Sequence, residues 1–282
     1  MNQSKATPSK RNLRLIISYD GTGFHGWQRQ PNALTVQECL ESAIERILGE
    51  KARVYGSGRT DAGVHALNQV ANFKTHCPIP CENLVKALNN VLEQTVRIKD
   101  ASEVQLRFHA RLDARSKTYR YRILQARVAS PFVNRFVWHY PFKLDVERMA
   151  QAAKLFIGEH DFTSFAAVEP RAVGESALNG CDEQEAVAKA SLPGERLTET
   201  TMVRRIFASR IFRRPRTAML IYEVAGNGFL HHMVRNMVGT LVEVGQGKLE
   251  PNGIIRILHA RDRTMAGPTA PAQGLCLVRV EY

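Results

Sequence analysis

The sequence lacks the features of a membrane or secreted protein. No apolar run in its 282 residues is long enough to span a bilayer, and the first residues are too polar to form a secretory signal peptide. The five cysteines include no CxxC pair, so neither a disulfide framework nor a zinc knuckle is indicated. These absences predict a globular protein of the cytoplasm with reduced thiols and no membrane association.

Acidic residues are also scarce. The chain has 27 Asp and Glu residues against 39 Lys and Arg residues, which gives a formal charge of +12 and a pI of about 9.8. A basic surplus of this size in a compact protein favours a polyanionic partner. Nucleic acid is the first expectation, because no basic amphipathic helix of the kind that lies on a membrane surface is present.

Strand and helix patterns are mixed along the chain, and many neighbouring strands resemble hairpin partners. Predicted strands lie at 13–19, 68–75, 117–124, 203–212, 217–225 and 274–281, and predicted helices at 35–48, 82–93, 145–157, 229–244 and 252–262. The helix at 35–48 has clear boundaries, since Thr35 and Glu38 form a capping box and Gly49 ends it. This mixture favours an α+β fold with antiparallel sheets over a doubly wound parallel sheet.

We expect two lobes of similar element order. A flexible tail at 1–11 precedes an N-terminal lobe at 12–112 and a C-terminal lobe at 113–282. Within the second lobe, residues 172–200 are acidic and have no sustained hydrophobic period. This segment predicts a flexible, solvent-exposed insertion.

The densest candidate for chemistry is the loop at 56–65, GSGRTDAGVH. Its three glycines allow unusual backbone angles and the close approach of a ligand. It precedes a predicted strand, so we expect Arg59, Asp61 and His65 to be displayed near a sheet edge. A carboxylate beside an arginine keeps the negative charge that a nucleophile needs. A tight turn pinned by an Asp–Arg surface pair explains the same residues equally well.

A second candidate is the segment at 107–122, RFHARLDARSKTYRYR. Six basic residues face one acid, Asp113, and aromatic residues are interleaved with them. In the strand that begins near Lys117, alternation places Lys117, Tyr119 and Tyr121 on one face. Basic side chains that follow phosphates and aromatic rings that stack on bases favour an RNA-binding surface over a solvated strand with two core tyrosines.

The third candidate is the predicted helix at 229–244. His231 and Arg235 are four residues apart and share a face near its start. The adjacent His231 and His232 would point to different sides of a helix, so we expect structural or RNA-contacting histidines and no metal. Two loops stay ambiguous, since 21–30 either stacks on a ligand or folds under a lobe, and 267–275 is either a packing turn or a wall of the site.

Together these segments resemble one family. YDGTGFHGWQRQ, GSGRTDAGVHA, FHAR, KTYRY, DFTSF, FLHHMVRNMVG and GPTAPAQGL occur in the order found in tRNA pseudouridine synthases of the TruA type. The resemblance runs from about Leu13 to Tyr282, and GRTDAGVH is its specific motif. The acidic insertion interrupts it, because the family's usual connection is shorter and resumes at 201–206.

The resemblance implies roles for particular residues. Asp61 matches the nucleophilic aspartate, and Arg59 the arginine that holds this aspartate and helps to flip the target base. Tyr119 matches the tyrosine that stacks on the uracil, and Arg235 a basic residue near the catalytic carboxylate. RNA contacts are implied for two segments and one further arginine, namely Phe108, His109, Ala110, Arg111, Leu112, Arg127, Glu169, Pro170, Arg171, Ala172 and Val173.

The resemblance also implies the fold and the reaction. Such enzymes have two lobes around a basic cleft, each an antiparallel sheet with helices on one face. They act as homodimers on the tRNA anticodon stem–loop, convert uridine to pseudouridine at positions 38, 39 and 40, and need no cofactor or metal. Whether Asp61 attacks C1′ of the ribose or C6 of the uracil stays open.

Two rival functions remain at this point. The first is a non-catalytic RNA-binding protein on the same scaffold, which would not need a nucleophilic carboxylate. The second is a metal-dependent nuclease or phosphotransferase that uses Asp61, although such chemistry favours clustered acids and none lies near the loop in the sequence.

Overall fold

One continuous β-sheet connects the two halves of the chain. The computed structural model describes residues 9–167 and 201–282, so the insertion at 172–200 and the tail before residue 9 lie outside it. The strands are β1 (Arg11–Tyr19), β2 (Tyr55–Gly56), β3 (His65–Thr75), β4 (Val96–Val104), β5 (Ser116–Leu124), β6 (Trp138–His139), β7 (Gly158–Asp161), β8 (Val203–Arg213), β9 (Met219–Gly226) and β10 (Leu275–Glu281). Their order is β4-β1-β3-β10-β5-β9-β8-β7, with β2 beside β3 and β6 beside β5.

The sheet is mainly antiparallel, which confirms the predicted α+β class. Among the described strands, parallel pairing is confined to β10 with β3 and to β5 with β6. Burial alternates along β1 and β9, as expected when one face of an antiparallel sheet packs on a core. On β1 the alternating buried side chains are Leu13, Leu15, Ile17 and Tyr19.

The C-terminal strand β10 joins the two predicted lobes. It pairs with β3 from residues 12–112 and with β5 from residues 113–282. The first 112 residues contribute β1 to β4 on one side of β10, and β5 to β9 lie on the other side. Strand β10 therefore aligns the loop at 56–65, which precedes β3, with the aromatic strand β5. The division of the chain into lobes remains a prediction.

Six helices are described, and the longer ones pack against the sheet or each other. They are α1 (Val36–Leu48), α2 (Cys81–Val91), α3 (Pro131–Asn134), α4 (Val146–Lys154), α5 (Met233–Gly245) and α6 (Gly253–Ala260). Helix α1 has its predicted boundaries: Thr35 Oγ1 accepts a hydrogen bond from the Glu38 N–H, and Gly49 adopts a left-handed conformation. None of the described helices combines the length and the apolar character that crossing a membrane requires.

The structure corrects the sequence-based prediction at several elements. Besides β4, the short elements β2, β6, β7 and α3 were not predicted. Strand β4 follows α2 immediately and was not predicted, because its outer half contains Lys99, Asp100 and Glu103, which interrupt the hydrophobic pattern. The helix predicted at 229–244 begins only at Met233. His232 stands before it with φ of 60°, a left-handed conformation that no helix continues through.

Helix α5 is placed by close contact with the loop at 267–275. The Cα of Gly239 lies so near the Pro268 carbonyl that any side chain at this position would overlap it. The Thr240 hydroxyl accepts a hydrogen bond from the Gly267 N–H at 2.9 Å. The sequence therefore fixes the distance between this loop and the helix that carries Arg235.

Candidate active site

The candidate catalytic loop at 56–65 interlocks with the glycine-rich loop at 21–30. The Trp27 N–H donates to the Thr60 carbonyl at 3.0 Å, and the Gly63 N–H donates to the Phe24 carbonyl at 3.2 Å. The Trp27 indole is buried and lies directly against Gly56, where a side chain would overlap the ring. The loop at 21–30 was expected either to stack on a ligand or to fold under a lobe. The structure favours the second interpretation, since Phe24 and Trp27 pack against the loop at 56–65.

Buried polar side chains hold the same loop from the sheet. The Tyr19 hydroxyl on β1 and the Thr60 hydroxyl share a hydrogen bond of 2.8 Å. Gln69 on β3 donates to the Gly58 carbonyl at 2.9 Å and accepts from the Ser57 hydroxyl at 2.6 Å. Because buried polar groups without partners are costly, this network favours a single loop conformation.

The sequence predicted that this loop lies near a sheet edge, and that prediction is wrong. The loop precedes β3, which is an interior strand because it pairs with β1 on one side and β10 on the other. His65 is also not displayed to solvent. It is buried, its Nδ1 accepts a hydrogen bond from the Gly21 N–H at 3.0 Å, and its Nε2 donates to the Gln273 carbonyl at 3.2 Å. Burial lowers the pKa of this imidazole, and nearby Asp20 opposes that shift. His65 therefore links three loops as a neutral side chain.

Asp61 forms an ion pair with Arg235 across the molecule. Asp61 Oδ2 lies 3.0 Å from Arg235 Nη1, and the two side chains are only 17% and 15% exposed. The pair joins residues 174 positions apart, so no local sequence pattern specifies it. A guanidinium held this close stabilises the carboxylate charge that a nucleophile requires.

Arg235 is itself held in place by the loop at 267–275. Its Nε donates to the Ala270 carbonyl at 2.8 Å, and its own carbonyl accepts from the Ala270 N–H at 3.2 Å. The Tyr121 hydroxyl donates to the Pro271 carbonyl at 2.7 Å. The loop is thus both a packing turn and a wall of the site, because the contacts that pack it also aim Arg235 at Asp61.

His231 and His232 both face Asp61, and the prediction that they point to different sides of a helix is wrong. Their Nε2 atoms lie 3.5 and 3.6 Å from the Asp61 carboxylate oxygens, and their ring centres are 4.0 Å apart. Both residues precede α5, and the left-handed conformation of His232 turns the two imidazoles to the same side. Two imidazoles and one guanidinium therefore surround a single carboxylate.

These three residues also form a potential metal-binding group. Asp61, His231 and His232 each offer a ligand atom, and the three atoms lie within 4.8 Å of one another. Carboxylate and imidazole are common zinc ligands, and three protein ligands are the number found in catalytic zinc sites. The Arg235 guanidinium touches the same carboxylate, and its positive charge opposes a cation there. The arrangement suits an anionic nucleophile better than a metal centre.

Tyr119 lies on β5 beside this cluster. Its ring is buried and meets Phe229 edge to face, with 5.1 Å between centroids. Burial raises the pKa of Tyr119, and the negative charge of Asp61 adds to the shift. The phenol therefore stays protonated at physiological pH and presents a neutral ring next to the carboxylate.

Arg59 borders a small pocket beside the loop that carries Asp61. Its Nε donates to the Gln28 side-chain oxygen at 3.1 Å. The pocket is lined by Gln28, Arg53, Tyr55, Arg59, His109 and Arg111, among others. The structure thus brings two members of the predicted RNA-binding segment at 108–112 to the catalytic loop. The pairing of Arg59 with Asp61 stays a prediction.

The remaining residues with predicted RNA contacts differ in burial and in position in the fold. Phe108 packs on the ring of Tyr282, and Ala110 is buried with its N–H donated to Asn72 at 2.8 Å. These two residues anchor the segment, while Leu112 is exposed. Arg127 lies in the loop after β5. Glu169, Pro170, Arg171, Ala172 and Val173 lie outside the described residues.

Sequence reasoning missed the residues that support the site. Tyr19, Gln69 and Ala270 were not predicted, and Gln69 is one of several polar residues in β3, so the sequence does not single it out. Ala270 contributes only backbone atoms, so its identity carries no signal.

Over most of its length the chain is similar to one known family. A family model described as tRNA pseudouridine synthase matches residues 15–113 and 152–282. Proteins named tRNA pseudouridine synthase A from Solibacter usitatus (strain Ellin6076) and Acetivibrio thermocellus (strain ATCC 27405) are 46% and 43% identical over 272 residues, which cover 96% of this chain and all of each relative. A solved structure entitled "Crystal Structure of a Cbf5-Nop10-Gar1 Complex" aligns with 94% of this chain at 13% identity and a TM-score of 0.34, and the chain spans 48% of its length.

The charges around Asp61 predict the titration of His232. Burial lowers the pKa of His232, with further lowering by His231, Arg235 and Arg263, while Asp61 raises it. The imidazole should be neutral at pH 7 and titrate below pH 6.5, which NMR of imidazole-labelled protein measures. Asp61→Asn should lower the midpoint further, because it removes the one raising charge. A midpoint that rises in this variant would contradict the arrangement.

Proposed function

This chain belongs to the tRNA pseudouridine synthase family, and we propose that it is an isomerase that converts uridine to pseudouridine in tRNA. The observation that carries the proposal is the Asp61 carboxylate, which is held by Arg235 at 3.0 Å beside the buried ring of Tyr119. The two relatives named above share 46% and 43% of their residues with the chain over nearly its whole length.

The reaction suits a site built around one carboxylate. The N1–C1′ bond breaks, the uracil turns, and C5 bonds to C1′; the proton leaves C5 and a proton is gained at N1. Atoms and oxidation state are conserved. A carboxylate nucleophile divides the replacement of the N1–C1′ bond by the C5–C1′ bond into two steps, because it bonds to either C1′ or C6 while the base turns. Asp61 serves both routes.

Three neighbouring residues complete the proposed machinery. Arg235 positions and neutralises Asp61, Tyr119 stacks on the uracil, and Arg59 takes part in flipping the base. A stacked base costs a few kcal/mol to extrude, and aromatic stacking is worth about 1–3 kcal/mol per base. The ring of Tyr119 and the basic residues beside it would therefore offset most of the cost of extrusion.

The proposed substrate is the anticodon stem–loop, with uridines at positions 38, 39 and 40 as targets. Support comes from the family resemblance and from the clustering of Arg53, Arg59 and Arg111 around one pocket beside the catalytic loop. Arginines grouped in this way can bind a phosphate backbone, and their position beside the loop that carries Asp61 suits an RNA whose target base has left its stack. Free thiols at the four described cysteines agree with the proposed cytoplasmic location.

We also propose a homodimer that binds one tRNA with both subunits. The segment after β5 exposes large apolar side chains, with Phe132 at 88% and Phe142 at 66% exposure. Exposed apolar groups this large mark interaction surfaces. Gln273 donates to the Val137 carbonyl at 3.1 Å, so the segment is linked to the loop that holds Arg235. A second copy on this segment would lie close to the active site.

Asp61→Asn tests the proposed chemistry. The variant keeps the side-chain size but loses the nucleophilic charge, so tritium release from tRNA labelled at uridine C5 should fall at least about a thousandfold. The Kd for tRNA, measured by filter binding, should stay within about threefold, because binding depends on other residues. Mapping of the wild-type product should place pseudouridine at positions 38, 39 and 40.

The control is Asp100→Asn, which removes an exposed carboxylate on β4 and should leave the rate unchanged. Pseudouridine formation by Asp61→Asn at the control rate would show that Asp61 is not the nucleophile. A wild-type protein that binds tRNA and releases no tritium would instead be a non-catalytic RNA-binding protein.

The homodimer is tested by sedimentation equilibrium. The wild-type protein should sediment at twice the 31.7 kDa chain mass, and Phe132→Ser combined with Phe142→Ser should shift it to the single-chain mass. Phe207→Ser, which changes an exposed phenylalanine on β8, is the matched control and should remain dimeric. A wild-type mass of one chain at micromolar concentration refutes the homodimer.

A further inference from the structure

Lys117 places its ammonium group beside the catalytic loop. It lies on β5 two residues before Tyr119, so the two side chains share one face of the strand. Lys117 Nζ lies 3.3 Å from the point that a Cβ on Gly58 would occupy. Gly58 immediately precedes Arg59 in the loop that carries Asp61. The Lys117 ammonium therefore lies between strand β5, which carries Tyr119, and the loop at 56–65, which carries Asp61.

Lys117 has basic neighbours, and within the described part of the chain it has no acidic partner. Among residues 9–167 and 201–282 it makes no hydrogen bond and no ion pair. Burial, together with the positive charges of Arg111 and Arg204, lowers its pKa to about 8. A partly buried cation among other cations is unfavourable unless an anion joins the group.

Arg204 is one of the cations that act on Lys117, and its side chain is already held in position. Its Nη1 donates to the carbonyls of Thr201 at 2.7 Å and Val203 at 2.6 Å, so the guanidinium is fixed by the backbone of its own strand start. Its Nε lies 3.6 Å from the Cβ position of Gly228, one residue before the Phe229 ring that packs on Tyr119. Because the backbone hydrogen bonds use Nη1, the Nε and Nη2 groups of the guanidinium can donate to an oxyanion.

We propose that Lys117 and Arg204 together bind one backbone phosphate of the RNA, next to the nucleotide whose base stacks on Tyr119. Side chains two residues apart on a strand are separated by about 7 Å, which is close to the distance between the base of a nucleotide and its own phosphate. The site would hold the backbone while the base leaves its stack. This inference rests on the proposed function, since it assumes a flipped nucleotide at Tyr119.

Salt-dependent binding of tRNA tests the site. Lys117→Met and Arg204→Gln should each raise the Kd for tRNA about tenfold and reduce the slope of log Kd against log salt concentration by about 0.7–0.9, the share of one phosphate. Lys117→Met should also raise the Tm, because it removes a partly buried cation that has no ion-pair partner among the described residues.

Two matched controls make the same charge change elsewhere. Lys86→Met alters an exposed lysine on α2, and Arg205→Gln alters the exposed neighbour of Arg204, whose contacts with Asn227 involve only its backbone. If the Lys117 and Arg204 variants match these controls in Kd and salt slope, the phosphate site is refuted, and wild-type tritium release still decides the proposed function separately. If wild-type protein forms no pseudouridine, the proposed function fails, while a lower slope in both variants would still support the phosphate site.

Discussion

The ion pair between Asp61 and Arg235 is the interaction on which the rest of the site depends. It connects a loop of the first half of the chain to a helix of the second half, with 3.0 Å between carboxylate and guanidinium. Two largely buried charges are expensive to remove from water, and their attraction offsets this cost only when the geometry is well fixed. The Ala270 carbonyl supplies that geometry on the arginine side, and the network of Tyr19, Thr60 and Gln69 supplies it on the aspartate side.

Much of the fold can be understood as the framework that this pair needs. Strand β10 lies between β3 and β5, so the last strand of the chain brings the catalytic loop and the aromatic strand together. Just before β10, the loop at 267–275 packs against Gly239 of α5 and holds Arg235. The strand that joins the two halves of the sheet and the loop that aims the arginine are therefore consecutive in the chain.

Local patterns predicted the elements better than they predicted the site. Alternation in β1 and the capping residues Thr35 and Gly49 are specified within a few residues, and the structure has them as expected. The environment of Asp61 depends on residues about 170 positions away and on one backbone conformation, at His232, that helical periodicity does not encode. Ala270 acts through its carbonyl, which every residue has. Motif resemblance identified Arg235 near the carboxylate because a motif records long-range constraints that local propensity omits.

The most direct test of the ion pair is the single-turnover rate of pseudouridine formation in two Arg235 variants. Arg235→Met should lower the rate at saturating tRNA by about a hundredfold or more, since it removes the charge that holds the reacting carboxylate, and Arg235→Lys should restore part of the loss. The Kd for tRNA should change by less than about threefold in both variants. A wild-type rate in Arg235→Met would contradict the central claim that this ion pair holds the reacting carboxylate.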